Sequence, residues 1–337
     1  MISSGVCWGQ LEQLEVHEGA GIPPEVRTIY QKGADYLAAT QKTDGSWGTG
    51  EEASAICGLA TMAFLSTGDD PNFGLYARNI RAAVRYMIRH QSPKTGYIPG
   101  SMYVHGFSML ALSEAYGAVD EDMLWAGETE KTGTRSIGEA LELAVKLAVT
   151  SQKKNPSKGW RYSPNDGSAD TSVVGAVLMG LLAARNAGIE VPDRSIDDAL
   201  QYMKSMTSAD NGEVGYSGLG GLGESGARTS IACLVFSIGK RSDWPELAGT
   251  QKYLADHLDM SSNQSWPDYE RYYKAQALFQ ADYESWQKWN RNTIQELRNM
   301  QKEDGQIGNS DHGPTFSTSM SLLALALNYR FLPIYER

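Results

Sequence analysis

The sequence predicts an all-α protein in which six helical hairpins close into a ring. Apolar residues recur with helical spacing, as in the stripe Ala140, Leu143, Ala144 and Leu147. A turn containing glycine and an aromatic residue returns after roughly every 50 residues. Helices rich in charge also alternate with helices that are apolar on every side. A long repeat with short turns favours a closed ring over an open solenoid.

The first helix of each unit is predicted to form an outer layer. The segment 78–90, RNIRAAVRYMIRH, combines apolar and basic residues, which is typical of a helix with one exposed face. The six outer helices are predicted over 25–41, 76–91, 136–152, 194–207, 246–258 and 289–301.

The second helix of each unit is predicted to lie inside. The segment 173–184, VVGAVLMGLLAA, is apolar all round, and such a helix belongs between neighbours. The six inner helices are predicted over 51–66, 103–117, 170–187, 227–240, 268–282 and 315–329. The turns between the layers carry Gly45 with Trp47 and five weaker copies, and glycine is the usual residue after a helix C-terminus.

Composition indicates a soluble globular protein of 337 residues, 41% hydrophobic and 21% charged. We expect one domain over 25–337 and an N-terminal extension over 1–24. A net charge of −10 argues against a nucleic-acid partner, because phosphates would be repelled. No apolar run reaches the ~18–20 residues that a transmembrane helix needs.

The three cysteines are too few and too scattered for a disulfide framework or a thiolate metal cluster. The first ten residues, MISSGVCWGQ, lack the charged start and apolar core of a secretory signal. These features alone leave the cellular location open.

The motif Gln-x-x-x-Gly-x-Trp, here Gln41, Gly45 and Trp47, resembles the QW repeat of the squalene cyclase and protein prenyltransferase superfamily. The segment 301–305, QKEDG, repeats its first half. The resemblance implies an α/α toroid of six inner and six outer helices over about residues 25–330. Segments 102–117 and 159–173 resemble a bacterial branch whose members often carry an export signal, which implies an extracytoplasmic location.

The resemblance also implies a ligand cavity in the central funnel, lined by the N-terminal ends of the inner helices. A class II terpene cyclase protonates an alkene with the middle aspartate of Asp-x-Asp-Asp on the third inner helix. The matching segment keeps Asp170, but Ala169 occupies the protonating position. Asp166, one residue before the motif, is a candidate replacement. Ordinary squalene-type cyclisation is therefore not expected.

A prenyltransferase zinc site is not expected either. Asp268 matches the zinc-binding aspartate of that family, but Glu270 stands where its cysteine would be. The histidine position falls near Phe316, and His312 comes three or four residues too early. We therefore expect no metal and no cofactor.

The candidate catalytic residues are Asp170, His105 and Asp166. His105 and Asp170 are suited to an acid–base pair, because a carboxylate can select the histidine tautomer. Alternatively, Asp170 is a helix N-cap and His105 bonds a backbone carbonyl. The candidate substrate-binding residues are Trp160, Tyr162, Arg228, Tyr216, Trp266, Tyr269, Tyr272 and His312. Alternatively, the aromatic residues Trp160, Tyr162, Tyr216 and Trp266 plug the turns of the repeat, and Arg228 forms a buried salt bridge to Asp170 or Glu224.

Two functions are compatible with these patterns. One is a divergent cyclase or prenyltransferase-like protein that handles an isoprenoid or other small hydrophobic, lipid-like substrate in the funnel. The other is a toroid that binds a ligand, peptide or glycan without catalysis. A fold alone does not decide between them, and the sequence leaves open whether the protein is an enzyme.

Overall fold

The computed structural model describes residues 21–48, 50–129, 132–219, 226–259, 266–329 and 332–335. Most of the predicted extension 1–24 lies outside them. The outer helices are α1 (Pro24–Thr40), α3 (Ala77–His90), α6 (Ile137–Lys154), α8 (Asp193–Ser205), α10 (Pro245–Asp256) and α12 (Tyr283–Met300). The inner helices are α2 (Ala53–Leu65), α4 (Met102–Ala115), α7 (Thr171–Asn186), α9 (Gly226–Ile238), α11 (Pro267–Ala281) and α13 (Pro314–Ala326). A short helix α5 (Glu121–Leu124) and a 3₁₀ turn over 333–335 complete the regular structure of this part of the chain.

The inner helices close into a ring, as predicted. Each packs against the next in chain order, and α13 packs against α2, so that the last unit meets the first. Each outer helix lies over the groove between two inner helices; α3, for example, contacts both α2 and α4. This is the predicted α/α toroid.

The two layers differ in burial as their sequences indicate. In α2 every residue from Ala53 to Phe64 is buried. In α3 the apolar face containing Ile80, Val84 and Met87 is buried, while its arginines lie on the other side. The inner layer is therefore the core, and the outer layer shields it from solvent.

Four glutamines join neighbouring outer helices. The Nε2 atom of Gln41 donates to the carbonyl oxygens of Gly45 and Asn79, at 2.9 and 3.0 Å. Gln91 and Gln152 make the equivalent pairs of bonds to their own turn and to the next outer helix. Gln301 donates to Gly305 and to Ile29 of α1, which links the last unit to the first.

Two tryptophans in the turns make further hydrogen bonds to the outer helices. The indole N–H of Trp47 donates to the Leu37 carbonyl at 2.8 Å, and that of Trp160 donates to the Ala148 carbonyl at 2.9 Å. Both side chains are buried. Each tryptophan thus ties its turn to the outer helix that precedes it.

The largest difference from the predicted helix bounds is the start of α12. Helix α12 begins at Tyr283 rather than near residue 289, because the Asp282 carboxylate accepts a hydrogen bond from the Ser285 amide and caps the helix six residues earlier. The short helix α5 lies in the polar stretch between the second and third units, where the Asp120 side chain accepts a hydrogen bond from the Asp122 amide. None of the helices in the described ranges is long and apolar enough to cross a bilayer.

Candidate functional site

A cavity of about 530 Å³ opens at one end of the ring, where the inner helices begin. It lies where the funnel was expected. The side chains and backbone that line it come from all six inner helices and the turns before them: Glu51, Glu52, Ala55, Ile56, Leu59, Gly100, Ser101, Tyr103, Val104, Phe107, Tyr162, Ser172, Tyr216, Ala227, Arg228, Ile231, Trp266, Tyr269, Glu270, Tyr273, His312 and Phe316.

Aromatic rings form much of the cavity wall. Tyr103 contacts Phe107 with ring centroids 5.0 Å apart and meets Tyr269 edge-on at 5.5 Å. Tyr269 also contacts Phe316 at 5.1 Å. These distances are those of favourable aromatic pairs. These rings therefore give the cavity a largely aromatic wall.

The rim of the cavity is more polar. Tyr162 and Trp266 are 52% and 55% exposed, and the Tyr162 and Tyr216 hydroxyls share a 2.7 Å hydrogen bond. The Arg161 guanidinium lies 5.9 Å from both tyrosine ring centres. These groups give the rim both aromatic and polar character.

His312 and Glu52 form a pair across the junction between the last and first units. The His312 Nδ1 atom lies 2.8 Å from a Glu52 carboxylate oxygen. The imidazole also stacks on Trp266, with centroids 6.0 Å apart. Its Nε2 atom is buried and has no hydrogen-bond partner in the structure as described. A carboxylate at Nδ1 favours the tautomer that leaves Nε2 able to accept a proton.

Glu270 is the acidic side chain of the cavity wall that is most enclosed, with 4% of its surface exposed. One carboxylate oxygen, Oε1, lies 3.5 Å from the Lys274 ammonium, and Oε2 is buried without a hydrogen-bond partner among the described residues. Burial raises the pKa of the Glu270 carboxyl, and the Lys274 charge opposes that rise.

In the sequence, Glu270 is notable only because it stands where the family's zinc-binding cysteine would be. Two signals mark it: an acidic residue in the first turn of an inner helix, and a lysine four residues later on the same face.

Six of the predicted site residues line the cavity: Tyr162, Arg228, Tyr216, Trp266, Tyr269 and His312. The other five, Asp170, His105, Asp166, Trp160 and Tyr272, are not among its lining residues. Trp160 and Tyr272 are core residues with about 1% exposure. On α11 the next residue, Tyr273, faces the cavity instead of Tyr272. Asp166 lies in the loop before α7, where it accepts a hydrogen bond from the Ser163 amide.

His105 has a structural environment. Its side chain is fully buried, its Nδ1 atom accepts a bond from the Ile98 amide at 3.2 Å, and Nε2 therefore donates to the Ala144 carbonyl at 3.0 Å. Both ring nitrogens are used, and neither contacts Asp170. The acid–base pair predicted from the sequence is not formed, because the imidazole instead joins α4 to the turn before it and to α6.

Acid is expected to destabilise the protein through His105. Burial lowers the pKa of this imidazole from 6.5 to about 4, so the unfolded chain binds a proton between these values while the folded chain does not. The free energy of unfolding is therefore expected to fall by about 3 kcal/mol as the pH falls from 6.5 to 4.

Urea unfolding at a series of pH values checks this expectation. His105→Gln removes the titrating ring, so its unfolding midpoint is expected to be lower overall but less dependent on pH in that window. Equal pH dependence in both proteins would contradict it.

Asp170 occupies the N-cap of α7. Its Oδ1 atom accepts from the Val173 amide at 3.0 Å and from the Ser172 hydroxyl at 2.6 Å, while its Oδ2 atom is buried and has no hydrogen-bond partner within the described ranges. The capping alternative considered for this residue matches these contacts. Ala169, at the protonating position, is buried and carries no titratable group.

Asp268 is bonded to two side chains of the inner helices. One carboxylate oxygen accepts a bond from the Arg271 guanidinium at 3.1 Å, and the other accepts one from the Ser317 hydroxyl at 2.6 Å. In the part of the chain that the structure describes, no three His, Cys, Asp or Glu side chains group closely enough to hold a metal ion.

Solved structures share this fold over most of the chain. The MstE type II terpene cyclase from Scytonema, in complex with its substrate geranylgeranyl dihydroxybenzoate, is 14% identical, with 91% of this chain and 98% of that chain covered and a TM-score of 0.59. The GH76A α-1,6-mannanase from Salegentibacter is 8% identical, with 90% of this chain and 98% of that chain covered and a TM-score of 0.63. The cellobiose 2-epimerase from Spirochaeta thermophila is 10% identical, with 92% of this chain and 99% of that chain covered and a TM-score of 0.58.

These likenesses confirm the toroid fold and, at such identities, show the fold alone. By sequence, neither a family model nor a curated protein matches the chain.

Proposed function

We propose that the funnel binds an isoprenoid or similar lipid-like substrate and that the protein is a divergent, cyclase-like enzyme. The observation that carries this proposal is the set of aromatic and aliphatic side chains that line the cavity, such as Phe107, Ile231 and Phe316. An apolar chain that binds there removes its own surface and that of these side chains from water. This burial stabilises the complex by about 25 cal/mol per Å² of apolar surface.

The size of the cavity fits such a ligand. Pockets of ~300–1,000 Å³ accommodate drug-sized molecules, and about 530 Å³ falls within that range. The use of the same toroid by MstE for a geranylgeranyl-bearing substrate supports the proposal. The chemistry must differ in its acid, because Ala169 replaces the usual proton donor.

Glycan binding is the second candidate, and the polar rim favours it. Exposed rings such as Trp266 and Tyr162 are suited to stack on sugar faces. The exposed carboxylates of Glu51 and Glu52 can accept hydrogen bonds from hydroxyls. A mannanase and an epimerase with this fold support the candidate.

Ligand binding distinguishes the two candidates. Calorimetry and thermal shift are performed with farnesol, geranylgeraniol and squalene on one side, and with cellobiose and manno-oligosaccharides on the other. We expect an isoprenoid to bind and Phe107→Ala to weaken it about tenfold, since one buried aromatic contact contributes upwards of ~1 kcal/mol.

Two further variants serve as comparisons. Phe73→Ala alters an exposed ring that is not among the cavity-lining residues and is expected to leave binding unchanged. Trp266→Ala is expected to abolish sugar binding if the rim is a glycan site. Binding of sugars but of no isoprenoid would reject the proposal in favour of the second candidate.

A further inference from the structure

Two large apolar side chains project from the loop over 66–76, which joins α2 to α3 at the end of the ring away from the funnel. Phe73 is 78% exposed and Leu75 is 68% exposed, and they are the most exposed large apolar side chains among the described residues. A single exposed apolar residue is ordinary on a protein surface, whereas two on one loop form a patch that is unfavourable in water. The patch therefore calls for a partner that covers it.

Hydrogen bonds hold the loop that carries these side chains. The Asp70 Oδ1 atom accepts from the amides of Asn72 and Phe73, at 2.7 and 3.1 Å. The Asn72 side chain donates to the Ala118 carbonyl at 3.0 Å and accepts from the Asp120 amide at 2.7 Å, which ties the loop to the segment after α4. Because the backbone is already fixed, covering Phe73 with a partner costs little ordering of the loop.

A groove of about 400 Å³ adjoins the same loop. Pro71 of the loop lines it, together with residues at the C-terminal ends of α2, α4 and α7. Much of its lining is apolar, including Ala118, Ala187, Leu332 and Pro333. The protein thus presents projecting apolar side chains and a partly apolar recess next to each other on one face.

The exposed charges of the loop are arranged in a self-complementary order. Asp69 and Asp70 precede the apolar pair, and Arg78 follows it. When two copies of the loop lie antiparallel about a two-fold axis, the acidic end of each faces the basic end of the other. A strongly acidic or strongly basic partner would match one end of the loop only. The order of acid, apolar pair and base therefore favours a second copy of this chain.

We propose that Phe73 and Leu75, with the adjoining groove, form the interface of a two-fold symmetric homodimer. The loop of each copy packs against the groove of the other, so that both projecting side chains and both recesses are covered. Such an interface is closed, because the same surface is used on both copies and no further copy can add. The funnels lie at the other end of each ring and remain open to ligand.

Sedimentation velocity and light scattering of the full chain over a wide range of protein concentration test the proposal. Wild type is expected to show a reversible monomer–dimer equilibrium. Phe73→Ser is expected to weaken the dimer by about tenfold or more, because a central aromatic contact is lost on both copies. Leu75→Ser is the second variant and is expected to act in the same direction. Both side chains are exposed, so the fold is expected to be retained, and circular dichroism checks this.

Leu219→Ser is the matched control. Leu219 is 54% exposed and precedes α9, at the funnel end of the ring, so its loss is expected to leave the dimer unchanged. Ala187→Phe places a ring in the groove and is expected to weaken the dimer as Phe73→Ser does.

A wild-type chain that stays monomeric at every concentration would overturn the proposal, whatever else covers the patch. A dimer that is equally stable in wild type, Phe73→Ser and Leu75→Ser would show that another face is used. A dimer weakened by Phe73→Ser but not by Ala187→Phe would overturn the packing of the loop against the groove.

Discussion

Gly305→Ala is expected to destabilise the protein by roughly 3 kcal/mol. Gly305 has a φ of 95°, which disfavours any side chain, and a Cβ atom there would lie 2.0 Å from the Lys32 carbonyl oxygen of α1. The turn would have to move away from the first outer helix. That movement would also break the Gln301 hydrogen bond to Ile29.

Gly188→Ala separates the effect of the backbone conformation from the effect of the close approach to α1. Gly188 has a φ of 91°, but a Cβ atom on it would have no neighbour within 4 Å, so only the backbone term of about 1 kcal/mol is expected. Urea unfolding of both variants beside wild type measures the difference. Equal destabilisation would show that the close approach at the ring junction contributes nothing.

Gly106→Ala is expected to lower the free energy of unfolding by about 1–3 kcal/mol, although alanine is the better helix former. A Cβ atom on Gly106 of α4 would lie 2.7 Å from the carbonyl carbon of Ala176 in α7. Backbone cannot rotate away as a side chain can, so the two inner helices must separate. Thermal and urea unfolding measure the loss.

A second helix glycine provides the comparison. A Cβ atom on Gly138 of α6 would meet only the ring of Tyr116, which is 38% exposed and free to move aside. Gly138→Ala is therefore expected to leave stability about unchanged. A Gly106→Ala variant as stable as Gly138→Ala would contradict the packing argument.

The repeat pattern was enough to predict the fold, because burial of an inner helix on every side is visible in its composition. The segment 173–184 illustrates this: its twelve residues are all apolar or glycine, and α7 lies in the core. Start sites were harder to predict. The early start of α12 depends on one capping contact, from Asp282, whose effect a hydrophobic pattern does not record.

The candidate site was predicted only in part. Rim residues such as Trp266 and His312 follow from their place before an inner helix. The inward direction of Tyr273 rather than Tyr272 depends on helix rotation by one residue, which a helix that is buried on most sides does not reveal. His105 makes the backbone bonds that were its structural alternative, and Glu270, for which the sequence suggested no role, lies in the cavity wall. Both positions depend on contacts between segments that are far apart in the chain.

The bond from Gln301 to Ile29 joins residues that are 272 positions apart in the chain. Closing so long a loop carries an entropy cost that is met before the contact is gained. The Glu52–His312 pair spans the same junction, over 260 positions. Its assembly therefore depends on completion of the whole circle: a chain that had folded only its first five hairpins would have Glu52 in place but not His312.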